Sequence, residues 1–358
     1  MELVHARINE KSKSSDIYFD ELNIITKFNK AEFCLAKKSS YDDNDFYIEI
    51  GMNNFKKYDI QKGDFIYIPD SEFGGKIECI DHSSDDSIKI SGCTWRYLLH
   101  KQVIFPKFNS TYQKRDDYLV IKNLEANKAI NELMKNTFYS EYLKLFRVSD
   151  ISSDVLLSFQ ARYEYLYDKI VSVLSDNDMR LKVEHSYEFD TQNIVISAVN
   201  RNHIDDVLNR DYQMSIYSKN DYSSSVDTIL ALGQGELHER DVVLIQHSVK
   251  NGKDIFESKD DLKNDEIGSL DSSIYIYDYS SCENKEDLIE KAIEEFKNNY
   301  LEKKEVSISL SNVKKEFDLG DVITGIDELT GIEVEAEITQ KILTIQDGKI
   351  EYSYKVGD

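Results

Sequence analysis

The chain has 358 residues, of which 41% are apolar, so it is long enough for more than one hydrophobic core and too apolar to be disordered. Asp and Glu outnumber Lys and Arg by 67 to 44, and the resulting charge of −23 argues against a surface that attracts nucleic-acid phosphates. No run of about 18 apolar residues occurs, and the N-terminus lacks a basic region followed by an apolar one, so we expect neither a membrane span nor a secretory signal.

Residues 1–105 are predicted to form a first β-barrel-like domain, because short apolar and alternating runs follow one another at even spacing. The only tryptophan of the chain, Trp95, follows the last of these runs. Large aromatic side chains usually serve burial, so we interpret Trp95 as a plug that closes the barrel end rather than as a platform for a ligand. The runs that predict strands are residues 32–36, 46–50, 60–69, 75–80 and 87–92.

Residues 106–200 are predicted to be an α+β insertion. A helical period begins near Asn123, and a second helix is predicted after the capping cluster 152–154, with Phe159 and Tyr163 on its apolar face. The apolar runs 181–184 and 193–199 are predicted to pair as two strands.

Residues 201–285 are predicted to be a second β region, centred on a Gly-x-Gly-Glu stretch. Gly233, Gly235 and Glu236 lie between two apolar runs, which we interpret as one strand that bends at the glycines and then turns back at residues 251–252. Glu236 and Arg240 are expected to pair with each other or with a neighbouring subunit.

Residues 286–358 are predicted to be a helix followed by a C-terminal β unit that completes a second barrel. The helix is predicted to start near Asn284, and an Asp-Gly turn at residues 347–348 joins two apolar runs. Gly320-Asp321 precedes an apolar run just as Gly63-Asp64 does, which suggests two related barrels. The predicted fold class is therefore α+β, mostly β, with two small β-barrel-like domains and an α+β insertion.

We predict no catalytic, metal-binding or cofactor-binding residue. The chain has no Gly-x-Ser-x-Gly motif for a nucleophile, and its four cysteines have no Cys-x-x-Cys spacing for zinc or redox chemistry. His238 lies beside Glu239 and could act as a base, but a surface histidine is the commoner interpretation. Residues 42–45 lack the spacing of a calcium loop, and residues 233–235 lack the Lys-Ser/Thr continuation of a phosphate-binding loop.

Three blocks, taken in order, resemble the siphophage tail-hub family, also called Tal-like or tail-associated proteins. The first runs from Gly63-Asp64 through Gly75-Lys76-Ile77-Glu78 to residues 90–99, the second is Leu232–Glu236 with Arg240, and the third runs from the helix at residues 287–300 to residues 318–323. The resemblance implies a trimeric ring of two barrel-like domains per subunit, placed under the tail tube of a phage or a phage-tail-like particle.

That resemblance also implies partners and a location. The partners would be two further copies of the chain, distal tail or tail-tube proteins, and tail-tip spike or fibre proteins, with DNA at most passing through an acidic lumen without sequence-specific binding. The location would be the tail tip or baseplate of a virion assembled in the host cytoplasm. Structural or interface candidates are Gly233, Gly235, Glu236, Arg240 and Trp95.

Two other functions stay open at this point. A tail-tip glycan hydrolase would need two carboxylates facing each other at roughly 5 to 9 Å in a cleft. A carbohydrate- or receptor-binding module would use a cluster of exposed tyrosines, of which the chain has 23. Tyrosine more often covers a half-buried sheet or an oligomer interface.

Overall fold

The computed structural model describes residues 2–9, 19–38, 40, 42–84, 86–137, 141–187, 193–204, 213–221, 226–250, 253–259, 273–282, 284–300, 303–311, 316–326 and 333–357. The chain divides into two compact units. The first comprises Met1–Ile216 and Ser307–Asp358, and the second comprises Tyr217–Val306. Strands dominate both units, which confirms the predicted mostly-β, α+β class.

The first part of unit 1 consists of seven strands and two short helices. Strand positions alternate between the two faces of a sheet, and Phe46, Ile48 and Ile50 are accordingly buried while Tyr47 and Glu49 are half-buried. The elements are β1 (Leu3–Ile8), β2 (Phe19–Ile25), β3 (Lys30–Ala36), β4 (Asp45–Gly51), α1 (Met52–Tyr58), β5 (Phe65–Tyr67), β6 (Gly74–Ser84), β7 (Ser87–Thr94) and α2 (Trp95–His100).

The middle of unit 1 mixes helices with small sheets. β8 pairs with β9 and β10 pairs with β12, while β14 lies between β11 and β13. The helices pack on these strands and on the first β region through one shared hydrophobic core. The elements are β8 (Phe108–Asn109), β9 (Lys114–Arg115), β10 (Leu119–Glu125), α3 (Ala126–Lys135), a 3-10 helix (Glu141–Leu145), β11 (Phe146–Val148), β12 (Leu156–Ala161), α4 (Leu166–Ser175), β13 (Met179–Ser186) and β14 (Asn193–Asn200).

Two predictions for this middle region have opposite outcomes. The antiparallel pair is confirmed, because β13 and β14 run in register from Met179↔Asn200 to Ser186↔Asn193. The helix predicted after residues 152–154 is wrong at its start, because Phe159 lies in β12 and α4 begins only at Leu166. Pairing of β12 with β10 accounts for the strand. Tyr163, at φ +52°, lies between the strand and the helix.

Two strands, β15 (His203–Ile204) and β16 (Gln213–Asp221), lead towards unit 2. Unit 2 is a four-stranded sheet in the order β19-β18-β17-β20, with one helix packed on it. Asn284 accepts a hydrogen bond from the N–H of Asp287 at 2.9 Å and so caps the helix, which begins where the sequence predicts. The elements are β17 (Thr228–Leu232), a 3-10 helix (Leu237–Glu239), β18 (Val242–Lys250), β19 (Lys253–Lys259), β20 (Ile274–Asp278), α5 (Lys285–Glu295) and a π-helix (Phe296–Tyr300).

The last strands return the chain to unit 1 and join its large sheet. They are β21 (Lys303–Ser311), β22 (Val322–Ile326), β23 (Glu333–Gln346) and β24 (Lys349–Val356). The sheet has 13 strands, in the order β16-β21-β24-β23-β3-β4-β7-β6-β5-β1-β2, and β22 and β15 extend it beside β23. Within the described residues this path does not return on itself. The strands of both ends of the chain therefore form one continuous sheet, joined where β23 pairs with β3.

Candidate functional site

Two tight Gly-Asp turns have the same backbone geometry. Gly63 and Gly320 adopt φ angles of +96° and +94°, in the left-handed region that glycine reaches without strain. The N–H of Gly63 donates to the carbonyl of Ile77 at 2.9 Å, and the N–H of Gly320 donates to that of Ile338 at 3.0 Å. The pattern that the sequence repeats is thus repeated in the hydrogen bonds.

Asp64, in the first turn, is buried and forms hydrogen bonds with three other residues. The backbone N–H of Gln61 and Nε of Arg7 donate to it at 2.8 Å and 2.6 Å, and His5 Nε2 lies 2.8 Å away. Asn23 Nδ2 faces His5 Nδ1 at 3.1 Å, so Nε2 is the nitrogen that carries the proton towards Asp64. Burial opposes ionisation of the carboxyl, but these hydrogen bonds outweigh burial and lower the pKa of Asp64.

Asp321 occupies the same position in the second turn. It is buried, and the backbone N–H three residues earlier, at Asp318, donates to its carboxylate at 3.3 Å. Nε of Arg180 lies 2.8 Å from the same carboxylate, and the side-chain amide of Asn202 donates to it at 3.2 Å. Each turn thus combines a buried aspartate with an arginine from a distant part of the chain.

The strands that follow the two turns repeat each other in order and register. β5, β6, β7 and β4 are neighbours in one half of the sheet, and β22, β23, β24 and β21 are neighbours in the other. A register shift follows Ile77 in β6 and Ile338 in β23, at equivalent positions. The aligned residues across three strands are Ile77↔Gly92↔Phe46 in the first half and Ile338↔Val356↔Ile308 in the second.

The two halves differ at one strand edge. After its register shift, β23 pairs with β3 from Gln340↔Ala36 to Gln346↔Lys30, and Leu343 and Ile345 are buried. The equivalent stretch of β6, residues 79–82, has no strand on that side within the described part of the chain, and Cys79, Asp81 and His82 are exposed. β16 holds the position beside β21 that β3 holds beside β4. Besides the terminal strands β2 and β15, the described part of the sheet therefore has two open edges, at residues 79–82 of β6 and at β16. The equivalent strands, β23 and β3, pair with each other.

The Gly-x-Gly-Glu stretch forms a connection between two strands and not one bent strand. β17 and β18 are antiparallel neighbours, and the N–H of Gly233 donates to the carbonyl of Asp241 at 2.8 Å to close the loop. A Cβ on Gly235 would lie 2.3 Å from the carbonyl oxygen of Glu239, and its φ is +92°. Glycine is therefore required there. The predicted turn at residues 251–252 lies outside the described residues, but the strands on either side of it pair.

Arg240 and Glu236 do not pair with each other. Nε of Arg240 donates to the carbonyl of Gly233 at 3.1 Å, and its guanidinium pairs with Asp278, so Arg240 holds the loop to β20. Glu236 is exposed, and no ion pair forms on it within the described residues. Leu237, beside it, is 91% exposed at φ +52°.

Trp95 lies in the core of unit 1. It is fully buried, and its ring stacks on Phe65 with 5.8 Å between centroids. Gly74 leaves room for the indole, because a Cβ there would lie 2.6 Å from Nε1 of Trp95. A residue in this position supports packing and offers no surface to a ligand.

A buried network of charges went unrecognised in the sequence. Lys341 is only 1% exposed, and its Nζ lies 2.8 Å from Glu316 and 3.5 Å from Asp318. Burial alone would lower the pKa of Lys341, but the carboxylates, with Glu72 the largest contributor, outweigh it and raise that pKa. Glu72 also pairs with buried Arg96 of α2 at 2.9 Å and lies 4.0 Å from Nζ of Lys341, so the network connects β23 with α2.

His238 is exposed, in the loop that contains Leu237. Within the described residues, no group of His, Cys, Asp and Glu side chains could hold a metal ion, and the four cysteines are free thiols. None of the described helices is long and apolar enough to cross a membrane. Of the exposed tyrosines, four lie between residues 112 and 165, in the middle of unit 1.

Comparison with solved structures identifies proteins of similar fold. The 43 kDa tail protein of prophage MuSo2 from Shewanella oneidensis is 11% identical and superposes with a TM-score of 0.51, over 99% of this chain and 98% of that one. A tail protein from Neisseria meningitidis is 9% identical and superposes with a TM-score of 0.48, over 100% of this chain and 96% of that one. The prophage tail protein gp18 from Listeria monocytogenes is 12% identical, with a TM-score of 0.45 over 99% of this chain and 94% of that one.

No family model and no curated protein sequence matches the chain. The fold is nevertheless that of the Shewanella prophage tail protein over nearly the whole length of both chains. The resemblance to phage tail proteins that the sequence predicts is thus confirmed at the level of the fold.

Proposed function

We propose that three copies of this chain close a ring that serves as a structural hub between the tail tube and the tail tip of a phage or phage-tail-like particle. The observation that carries the proposal is the open edge of β6. Its counterpart in β23 is covered by β3 of the same chain, whereas residues 79–82 have no such cover within the described residues. In the ring, β16 of the next subunit covers this edge.

Strand pairing supplies the contact between subunits. An exposed strand edge presents a row of unpaired N–H and C=O groups, and a second strand satisfies them. Each subunit offers one β6 edge and one β16 edge, so the contact is head-to-tail, and head-to-tail contacts generate closed rings when the rotation allows. Two similar half-sheets in each of three chains give the ring six similar segments.

The charge of the chain suits a conduit for DNA. Each copy has a net charge of −23, and a channel lined by Asp and Glu does not hold phosphates in place. We expect acidic residues to dominate the lumen and the hub to act without covalent chemistry. Its partners are then tail-tube or distal-tail proteins on one side and spike or fibre proteins on the other, at the tail tip.

Proline substitutions at the β6 edge test the ring. Neighbouring N–H groups of a strand point to opposite sides. One of the two variants Ile80→Pro and Asp81→Pro therefore removes an N–H that points to the open edge, and the other removes an N–H that bonds to β7. The variant that keeps the wild-type melting temperature should lose the trimer in sedimentation velocity at micromolar concentration, whereas Asp117→Pro, in an exposed non-strand position, should keep it.

Cys79 gives a second measurement without any mutation. It is the one exposed cysteine, while Cys34, Cys93 and Cys282 are buried. Alkylation of Cys79 should be fast in the monomer and slow in assembled particles. Equal rates in the two states, together with a ring-free electron-microscopy average of the particle, would exclude the proposal.

A further inference from the structure

A cleft of about 460 Å³ opens in unit 1 between the β8–β9 hairpin and the end of α3. Ligand pockets for single small molecules have volumes of roughly 300–1,000 Å³, so this cleft could contain one sugar ring with its substituents. It uses none of the residues at the β6 and β16 edges. The described residues that line it are Phe105, Lys107, Phe108, Arg115, Lys135, Asn136 and Thr137.

The cleft is positively charged in a strongly acidic protein. Three of its seven lining residues are cations, and none is an acid. The surrounding sequence has the same bias: between residues 101 and 137 there are seven Lys and Arg and four Asp and Glu, although the whole chain has a net charge of −23. Such a local reversal of charge raises the concentration of anions at the cleft.

The walls of the cleft are held in place by contacts within unit 1. Nη1 of Arg115 donates to the carbonyl of Pro106 at 2.7 Å, and its guanidinium lies 4.9 Å from the centre of the Phe105 ring. Nζ of Lys107 lies 2.6 Å from a carboxylate oxygen of Glu132. A site whose side chains are already ordered loses little entropy when a ligand binds.

The dipole of α3 explains only part of this clustering of cations. Cations near the C-terminus of a helix are stabilised by its dipole, and Lys107 already has Glu132 as a partner. Arg115 and Lys135, however, form no ion pair within the described part of the chain, and Arg115 belongs to the hairpin and not to the helix. Two cations from different elements thus line one cleft, and the carboxylate of Glu132 is already paired with Lys107.

The rest of the lining suits the face and the hydroxyls of a sugar. Phe108 is 58% exposed, so its ring is available for the apolar face of a pyranose. The amide nitrogen of Asn136 donates to the carbonyl of Glu132 at 2.8 Å, and the hydroxyl of Thr137 donates to the carbonyl of Met134 at 2.7 Å. These bonds leave the oxygens of Asn136 and Thr137 as acceptors for ligand hydroxyls.

We infer that the cleft binds a pyranose that carries a carboxylate or a phosphate, either free or as the end unit of a polymer. Arg115 and Lys135 hold the anionic group, Phe108 covers the apolar face of the ring, and the Asn136 and Thr137 oxygens accept from its hydroxyls. The site gives the hub a contact with anionic saccharide in addition to its role in the ring.

Binding to the full chain by isothermal titration calorimetry tests the inference, with D-glucuronic acid and glucose 6-phosphate as probes and glucose as the neutral comparison. At least one of the two charged sugars should bind about tenfold more tightly than glucose, or tighter still, because a charge-assisted hydrogen bond adds roughly 1.5 kcal/mol to the binding free energy. Lys135→Gln and Phe108→Ala should each weaken binding about fivefold or more. Lys128→Gln removes the same charge from an exposed position of α3 outside the cleft and should leave the affinity unchanged.

Four results would overturn the inference. Glucose that binds as tightly as glucuronic acid would remove the role of the anion. Inorganic phosphate that binds as tightly as glucose 6-phosphate would reduce the site to general anion attraction. A hexaglutamate peptide that binds more tightly than either sugar would make the occupant an acidic protein segment, and no binding by either charged sugar would leave the cleft without the proposed ligand. The measurement needs no trimer, so its result is independent of the ring.

Discussion

Asp64 and Asp321 each hold a tight turn against a distant part of the chain. Each carboxylate binds the backbone N–H three residues earlier and an arginine from far along the chain, so each ties a tight turn to another part of unit 1. The sequence revealed the Gly-Asp pairs, because glycine followed by a short polar residue is a turn signal. It could not reveal the arginines, since Arg7 and Arg180 are distant from the turns in the chain and follow no local pattern.

Buried His185 predicts a pH dependence at the residue scale. It stacks on Tyr67 at 4.2 Å, and burial lowers the pKa of its imidazole to about 4. Unfolded chains take up this proton near the ordinary value of 6.5, whereas the folded chain stays neutral to about 4. We therefore expect His185 to make the folded state lose stability as the pH falls from 6.5 to 4, by at most about 3 kcal/mol.

Urea unfolding followed by Trp95 fluorescence measures this loss, because Trp95 lies 6.3 Å from the Tyr67 ring. His185→Phe should be less sensitive than wild type between pH 6.5 and 4, while His82→Gln, at an exposed position, should retain the wild-type slope. Parallel slopes for wild type and His185→Phe would contradict the assignment.

Elements differed in how well the sequence predicted them. α5 was predictable, because a capping asparagine precedes apolar residues that recur every three or four positions. β12 was not, because its apolar positions run on into those of α4 and imitate one long helical face. The connection between β17 and β18 was missed for a related reason: two apolar runs flanking glycines fit a bent strand as well as a hairpin, and only long-range pairing distinguishes them.

Gly235 provides the prediction for this connection. An alanine there would need both a φ of +92° and a Cβ 2.3 Å from a carbonyl oxygen, so the loop would have to shift. We expect Gly235→Ala to destabilise unit 2 by about 2–4 kcal/mol. Gly348→Ala is the matched control, because it also has a positive φ, +75°, but open space around the Cβ, and should cost about 1 kcal/mol.

Hydrogen exchange shows whether Gly235→Ala destabilises unit 2 alone or the large sheet as well. Amides of β17 and β18 should exchange faster in Gly235→Ala, and those of β3 and β4 should not change. If β17 and β18 keep their protection, the close approach of Glu239 to Gly235 does not constrain the loop.

The net negative charge of the chain opposes its assembly into a trimer. Copies with a net charge of −23 repel one another, whereas the backbone hydrogen bonds proposed for the β6 and β16 edges do not depend on charge. We expect the trimer fraction in sedimentation velocity to rise when salt is raised from about 0.01 M to about 0.15 M, because the screening length falls from about 30 Å to about 8 Å. The non-assembling proline variant is the control and should stay monomeric. A trimer that dissociates with added salt would mean that ion pairs and not strand edges hold it together.

The position of unit 2 in the chain has a consequence of its own. It begins within β16 and ends within β21. In the other half of the sheet the corresponding strands, β3 and β4, are connected by only eight residues, 37–44. The connection between two equivalent strands is thus a short loop in one half of the sheet and an entire domain in the other. We therefore expect that replacing residues 222–302 with the short connection of residues 37–44 yields a smaller subunit whose sheet keeps both halves.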